Sequence, residues 1–139
     1  KLTLGLDAHW VGKDSLFRWP LRSLFRKLGG IPIKRDVRNG FVADMAAQFA
    51  AHPNFLLVIA PEGTRSLTRG WKSGFYRIAL AAEVPVAIAF IDYARREIGI
   101  ATYLTMTGDP EADIAHIARY YEHRQGKHPA LASPVRWLA

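Results

Sequence analysis

The sequence predicts an α/β domain, with strands alternating with helices around a mostly parallel or mixed sheet flanked by those helices. Three observations carry this. Phe55-Leu56-Leu57-Val58-Ile59 is a short apolar run bounded by Pro53-Asn54 and Pro61, which suits a buried strand. Phe41 to Ala51, just before it, is alanine-rich and has apolar residues at 41, 42, 45, 46 and 49, a helical spacing. Val84–Asp92, further on, is almost wholly apolar, which suits a strand covered on both faces. With 139 residues, half of them hydrophobic, the chain is expected to form one domain over 1–139 with a sizeable core. Residues 125–139 are set apart as a tail, and 125–132 have the composition of a loose segment.

The elements follow in order. Ala8–Lys13 reads as a short strand. Leu16 to Leu28 reads as one amphipathic helix, with Ser15 as a cap or Pro20 in its first turn. Arg18, Arg22 and Arg26 recur every four residues on it, against Trp19, Leu24 and Phe25. That pattern fits a helix in a membrane interface, and equally an ordinary core-facing helix with a solvated basic side. Gly29-Gly30 ends it, and Ile31–Arg35 is a short strand with Pro32 marking an edge or an end. Asn39-Gly40 is a turn signal. After the 55–59 strand, Phe75–Glu83 is a helix, 86–92 and 97–105 pair as a hairpin, and Pro110 to about His123 is the last helix. Asp109 caps that helix and Pro110 takes its first position. His116 and His123 would share one of its faces.

The chain has no cysteine, which excludes disulfides, thiolate catalysis and Cys-ligated zinc. Its five histidines show no tight metal spacing, so no metal site is expected. The formal charge of +7 calls for an anionic partner. Nucleic acid is not expected, because no helix-turn-helix, RNP-type or zinc motif accompanies the charge. No apolar stretch reaches the roughly 18 residues of a spanning helix.

The chemistry concentrates where the 55–59 strand ends, at Ala60-Pro61-Glu62-Gly63-Thr64-Arg65. Such a turn sets a carboxylate, a flexible backbone point, a hydroxyl and a guanidinium at one rim of a sheet, where ligands of open α/β sheets bind. Arg grips phosphate with two donors, and Gly lets backbone N–H groups approach an anion. Gly29-Gly30-Ile31-Pro32 with Arg35 precedes this turn; Trp71-Lys72-Ser73-Gly74-Phe75 and Val84-Pro85-Val86 follow it. In that order and spacing the blocks resemble the glycerol-phosphate and lysophospholipid acyltransferase family, over nearly all of residues 4–121.

The resemblance implies a glycerol-phosphate acyltransferase-like fold and a reaction. A fatty acyl group would pass from a thioester, acyl-CoA or an acyl-carrier protein, to a hydroxyl of a phosphorylated lipid acceptor. No cofactor is implied beyond that co-substrate. Arg35 and Arg65, with help from Lys72, would neutralise the acceptor phosphate, and Glu62, Gly63 and Thr64 would form the floor. Glu62 has a second reading, in which it holds Arg65 in place. The partners implied are the lipid acceptor, the thioester donor and an anionic membrane surface, with the protein peripheral on the cytoplasmic face.

The family's base is a His followed five positions later by an Asp. His9 and Asp14 have that spacing, but His9 stands only 26 residues before Arg35, whereas the family's His lies well upstream of the Gly-Gly-Ile-Pro block. The stretch from Gly5 to Phe17 resembles the family's second strand and its exit instead. His9 and Asp14 are therefore read as a spacing decoy. The pattern opens partway in, so an N-terminal strand and the catalytic block are expected before Lys1, and residues 1–139 alone are expected to be inactive. A non-catalytic anion- or membrane-binding module of the same fold is the competing reading, and a nucleic-acid binder the weakest.

Overall fold

β1 (Ala8–Lys13) is the middle strand of a parallel sheet, with β2 (Gly30–Ile33) on one side and β3 (Leu56–Val58) on the other. The computed structural model describes residues 8–33, 38–64 and 66–138. They fall into two compact units, Lys1–Ile59 and Ala60–Ala139.

In the first unit, α1 (Arg22–Lys27) lies between β1 and β2, and α2 (Arg38–Ala51) lies between β2 and β3. The strand order β2-β1-β3 makes these two crossovers run in opposite directions across the sheet. Right-handed crossovers then put their helices on opposite faces. The ring contacts agree with this. His9 lies against Phe55, with centroids 4.8 Å apart, and Phe55 meets Phe49 of α2 at 4.9 Å. Trp10, the next residue along the strand, contacts Phe17 and Phe25 of the α1 side instead. Alternation along a pleated strand sends the two neighbours to opposite faces.

The single helix expected over Leu16–Leu28 is two pieces. A 3-10 turn covers Asp14–Phe17, and α1 begins at Arg22. Pro20 has no N–H to continue a helix, and Phe17 turns in toward the sheet. A Cβ on Gly12 would come within 3.2 Å of the Phe17 ring, and one on Gly30 within 2.7 Å. The two glycines of the doublet therefore do different work. Gly29 takes a left-handed φ of 81° and closes α1 with its N–H on Arg26 O, while Gly30 leaves room for Phe17. Arg22 and Arg26 keep their helical spacing; Arg18 precedes the helix.

Asn39-Gly40 is not a turn but part of the first turn of α2. N–H groups there have no partner within the helix in any case, so the weak helix formers are tolerated. β2 ends at Ile33, and Arg35 lies outside the described residues.

In the second unit, α3 (Gly74–Ala82) leads into the antiparallel hairpin of β4 (Val86–Asp92) and β5 (Glu97–Leu104), followed by α4 (Pro110–Arg119). β4 is not buried on both faces: Ile88 and Asp92 are buried while Ile91 is exposed. Asp92 locks the hairpin turn by accepting the N–H groups of Ala94 and Arg95. Burial pushes its carboxyl up, but those N–H groups, that of Gln125 and the Arg95 charge outweigh burial and hold it below the usual value.

α4 starts as the sequence predicts. The Asp109 carboxylate accepts from the Glu111 and Ala112 N–H groups, with Pro110 first in the helix. It stops at Arg119, so His116 is on the helix and His123 lies beyond it. Ile117 of α4 is fully buried, in a cluster with Tyr76, Ile88, Met106 and Trp71. Asp113, buried beside them, accepts from the Tyr76 hydroxyl and the Thr107 N–H. The stretch read as loose, 125–132, is ordered enough to carry a 3-10 turn at Pro129–Leu131, and Gln125 O accepts the Tyr93 N–H.

Candidate functional site

The Glu-Gly-Thr segment is a tight turn in the second unit. The Gly63 N–H closes it onto Ala60 O at 3.1 Å, and Gly63 takes a left-handed φ of 63°. Only glycine adopts that conformation without cost. Pro61 O accepts the Lys72 N–H at 2.9 Å, so the turn is tied to the start of the Trp-Lys-Ser-Gly segment.

That tie brings the Lys72 side chain across the turn. A Cβ on Gly63 would stand 2.7 Å from Lys72 Nζ. The bare glycine backbone and the ammonium therefore share one spot, and both residues are exposed. Thr64 is exposed beside them, its Oγ1 accepting the Ser66 N–H at 3.2 Å. A cation, a backbone free of side-chain bulk and a hydroxyl in one exposed turn can receive an anion. Arg65, expected to grip that anion, lies outside the described residues, as does Arg35.

Glu62 faces elsewhere. Its Oε1 accepts the Ser133 N–H at 3.2 Å, 71 residues along the chain. The loop after it is tied to the same segment. The Thr68 N–H donates to Ser133 Oγ at 2.9 Å, and Arg136 Nε donates to Arg69 O at 2.9 Å. Trp71 pairs with the Trp137 stretch through two backbone bonds: its N–H to Arg136 O, and the Leu138 N–H to its carbonyl. Trp71 is also buried in the core, so it anchors the loop. The supposed tail is thus a strap across the motif. Trp137, a large aromatic near the end of that segment, was the visible signal for it. Ser133, Thr68 and Arg136 gave no signal in the sequence.

His9 and Asp14 lie in the other unit. His9 sits near the start of β1, its ring tilted against Phe55, and Asp14 follows the end of that strand. Five residues of extended chain separate their backbones by about 16 Å. Among the described residues no group of three or more His, Asp or Glu is placed to hold a metal ion. None of the described helices is long and apolar enough to cross a membrane.

Neither the curated proteins nor the solved structures contain a match to this chain. A family model described as Acyltransferase matches residues 3–91, which is well over half of the 139 residues and includes the turn at Glu62 and the Lys72 segment. The chain therefore belongs to the acyltransferase family.

Proposed function

We propose that the protein transfers a fatty acyl group from the thioester of coenzyme A or an acyl-carrier protein to a hydroxyl of a lysophospholipid or glycerol-phosphate-like acceptor. The acceptor oxygen attacks the thioester carbonyl, the carbon–sulfur bond breaks, and the hydroxyl proton ends on the departing thiol. The observation that carries the acceptor side is the Lys72 ammonium laid across the bare Gly63 turn, inside the family-matched segment. Lys72 supplies a point charge to the acceptor phosphate, and Arg35 and Arg65 supply the two-pronged grip. Two guanidiniums suit a phosphate monoester, which carries close to two negative charges at neutral pH. We leave His9 and Asp14 out of the general-base pair, and the strand between them supports this.

The same reading puts the protein at the cytoplasmic face of a membrane, as a peripheral enzyme. What supports it is the surface around α1. Trp19 is 91% exposed, and Leu21 and Leu24 are also exposed, next to Arg18, Arg22 and Arg26. Aromatic and aliphatic side chains beside arginines are suited to an anionic lipid surface.

The test is a thioester-release assay on the full-length protein with a panel of lysophospholipid acceptors. Acyl transfer should appear with phosphorylated acceptors. Arg65→Ala should weaken their use by about 10- to 100-fold, the loss of one or more charge-assisted hydrogen bonds. Hydrolysis of the donor by water should fall far less. Equal loss of transfer and hydrolysis would move Arg65 off the acceptor phosphate. No thioester consumption with any acceptor, alongside retained vesicle binding, would favour a non-catalytic module.

A further inference from the structure

We infer that Ser133 is a positioning residue for acyl transfer, holding both ends of the loop that presents Gly63 and Thr64. The inference deepens the acceptor reading above and rests on it.

Ser133 is 7% exposed, although it lies in a stretch whose neighbours are mostly at the surface. Its N–H holds Glu62 Oε1 at one end of the loop, at 3.2 Å. Its Oγ accepts the Thr68 N–H at the other end, at 2.9 Å. The Ser133 and Thr68 hydroxyl oxygens are also 2.9 Å apart, and Thr68 Oγ1 stands 2.8 Å from Gly70 O. The protons balance in one arrangement. Ser133 donates to Thr68 Oγ1, and Thr68 donates to Gly70 O. One buried residue therefore fastens residues 62 and 68, and the chain between them carries the Gly-Thr-Arg-Ser motif.

Ser133 is in turn held in place by the rest of the strap. Trp137 Nε1 donates to Pro110 O at 2.8 Å, and the Trp71 N–H reaches Arg136 O at 2.7 Å. A Cβ on Gly70 would meet Arg136 O at 2.5 Å, so the strap lies directly on the loop backbone. Between the fastened ends, Gly63, Thr64, Ser66 and Leu67 are exposed and have no core of their own. Beyond the Gly63 N–H on Ala60 O and the Ser66 N–H on Thr64 Oγ1, the bonds at the ends hold them in place. Small misplacement of substrate-positioning groups is costly to acyl transfer. The family match ends at residue 91, so the fastening comes from a part of the chain outside it. Glu62, used inward by this bond, positions the turn and does not line its exposed side.

The experiment uses the full-length protein with a lysophosphatidate as acceptor. Ser133→Ala removes the hydroxyl tie to Thr68 and keeps the N–H tie to Glu62. It should raise the acceptor KM about 5- to 30-fold, the loss of one to two net hydrogen bonds' worth from the two contacts that Ser133 Oγ makes, with kcat within about twofold. Deuterium uptake at the amides of residues 62–68 should speed up, and Ser133→Thr should restore both readouts. Thr68→Val removes the loop-side hydroxyl but keeps the residue-68 N–H on Ser133 Oγ, so it should raise KM and loop uptake in the same direction but by less, and the inference stays testable if Ser133→Ala does not fold. Unchanged KM and unchanged loop uptake would overturn it. So would a matched fall in kcat and stability that Ser133→Thr leaves uncorrected, since that is a general packing role. Absence of acyl transfer by the wild type would instead sink the acceptor reading, whereas unaltered loop uptake in both variants sinks the role of Ser133.

Discussion

The two units keep their side chains packed by different means. In the first, aromatic rings are seated on bare backbone, with Phe17 over Gly12 and Gly30 and flanked by Trp10 and Phe25. In the second, a closed cluster of Ile88, Ile114, Ile117, Met106 and Tyr76 is sealed by Trp71, and a strap ties the loop beside it. The first arrangement depends on glycines missing a side chain, and its partners are close in sequence. The second depends on residues far apart, among them Glu62 with Ser133 and Trp71 with Trp137. The motif of the candidate site sits in the second. Its geometry is thus a long-range property, although its residues are contiguous.

The largest expected effect tests the closed cluster. Ile117 is fully buried, and Ile117→Ala should cost about 2–5 kcal/mol in denaturant unfolding, from lost transfer energy and a residual cavity. Amide protection should fall first in α3 and α4. A cost under about 1 kcal/mol would mean that the cluster collapses around the gap and is looser than its burial indicates.

A middle-sized effect tests the ring-on-glycine packing. In Gly30→Ala the new Cβ would meet two Phe17 ring atoms at 2.7 and 2.8 Å and the Phe25 carbonyl oxygen at 2.8 Å. The ring can move but the carbonyl cannot move easily, so overpacking should cost about 1–3 kcal/mol by the same measurement. Full stability in this variant would show that Phe17 has room to shift, and would remove the contrast between the units.

The smallest effect on stability belongs to the arginines near α1. Arg18, Arg22 and Arg26 are exposed, and changing all three to Gln should alter unfolding by no more than about 0.5 kcal/mol per site. Vesicle binding should respond more strongly, since each basic residue near an anionic surface contributes about 1 kcal/mol. Wild-type protein should prefer anionic over neutral vesicles and bind more weakly as salt rises. Equal affinity for both vesicle types would argue against the membrane reading of this surface.

The helices and strands were largely legible in the sequence because their signals are local. Alanine content and apolar spacing marked α2, and Asp109-Pro110 marked the start of α4 where the Asp109 carboxylate caps it. The errors were local rules overridden by neighbours. Phe17 leaves the expected helix to reach the sheet, and Asn39-Gly40 is absorbed into the unpaired first turn of α2. The helix carrying His116 ends before His123.

The sequence by itself determined the family, the α/β character and the contiguous motif at Glu62, Gly63 and Thr64, because residue order and short-range periodicity encode these. Only the tertiary structure decided that β1 stands between β2 and β3, so that those two strands run side by side at two strand spacings, about 9.6 Å, with β3 ending opposite Trp10 and β2 opposite Lys13. It also decided that Lys72 crosses the Gly63 backbone and that Ser133 fastens both Glu62 and Thr68. A hydrogen bond between a side chain and a backbone group 71 residues away leaves no periodicity to read. It exists because a buried polar group must find a partner, and the fold alone determines which one is within reach.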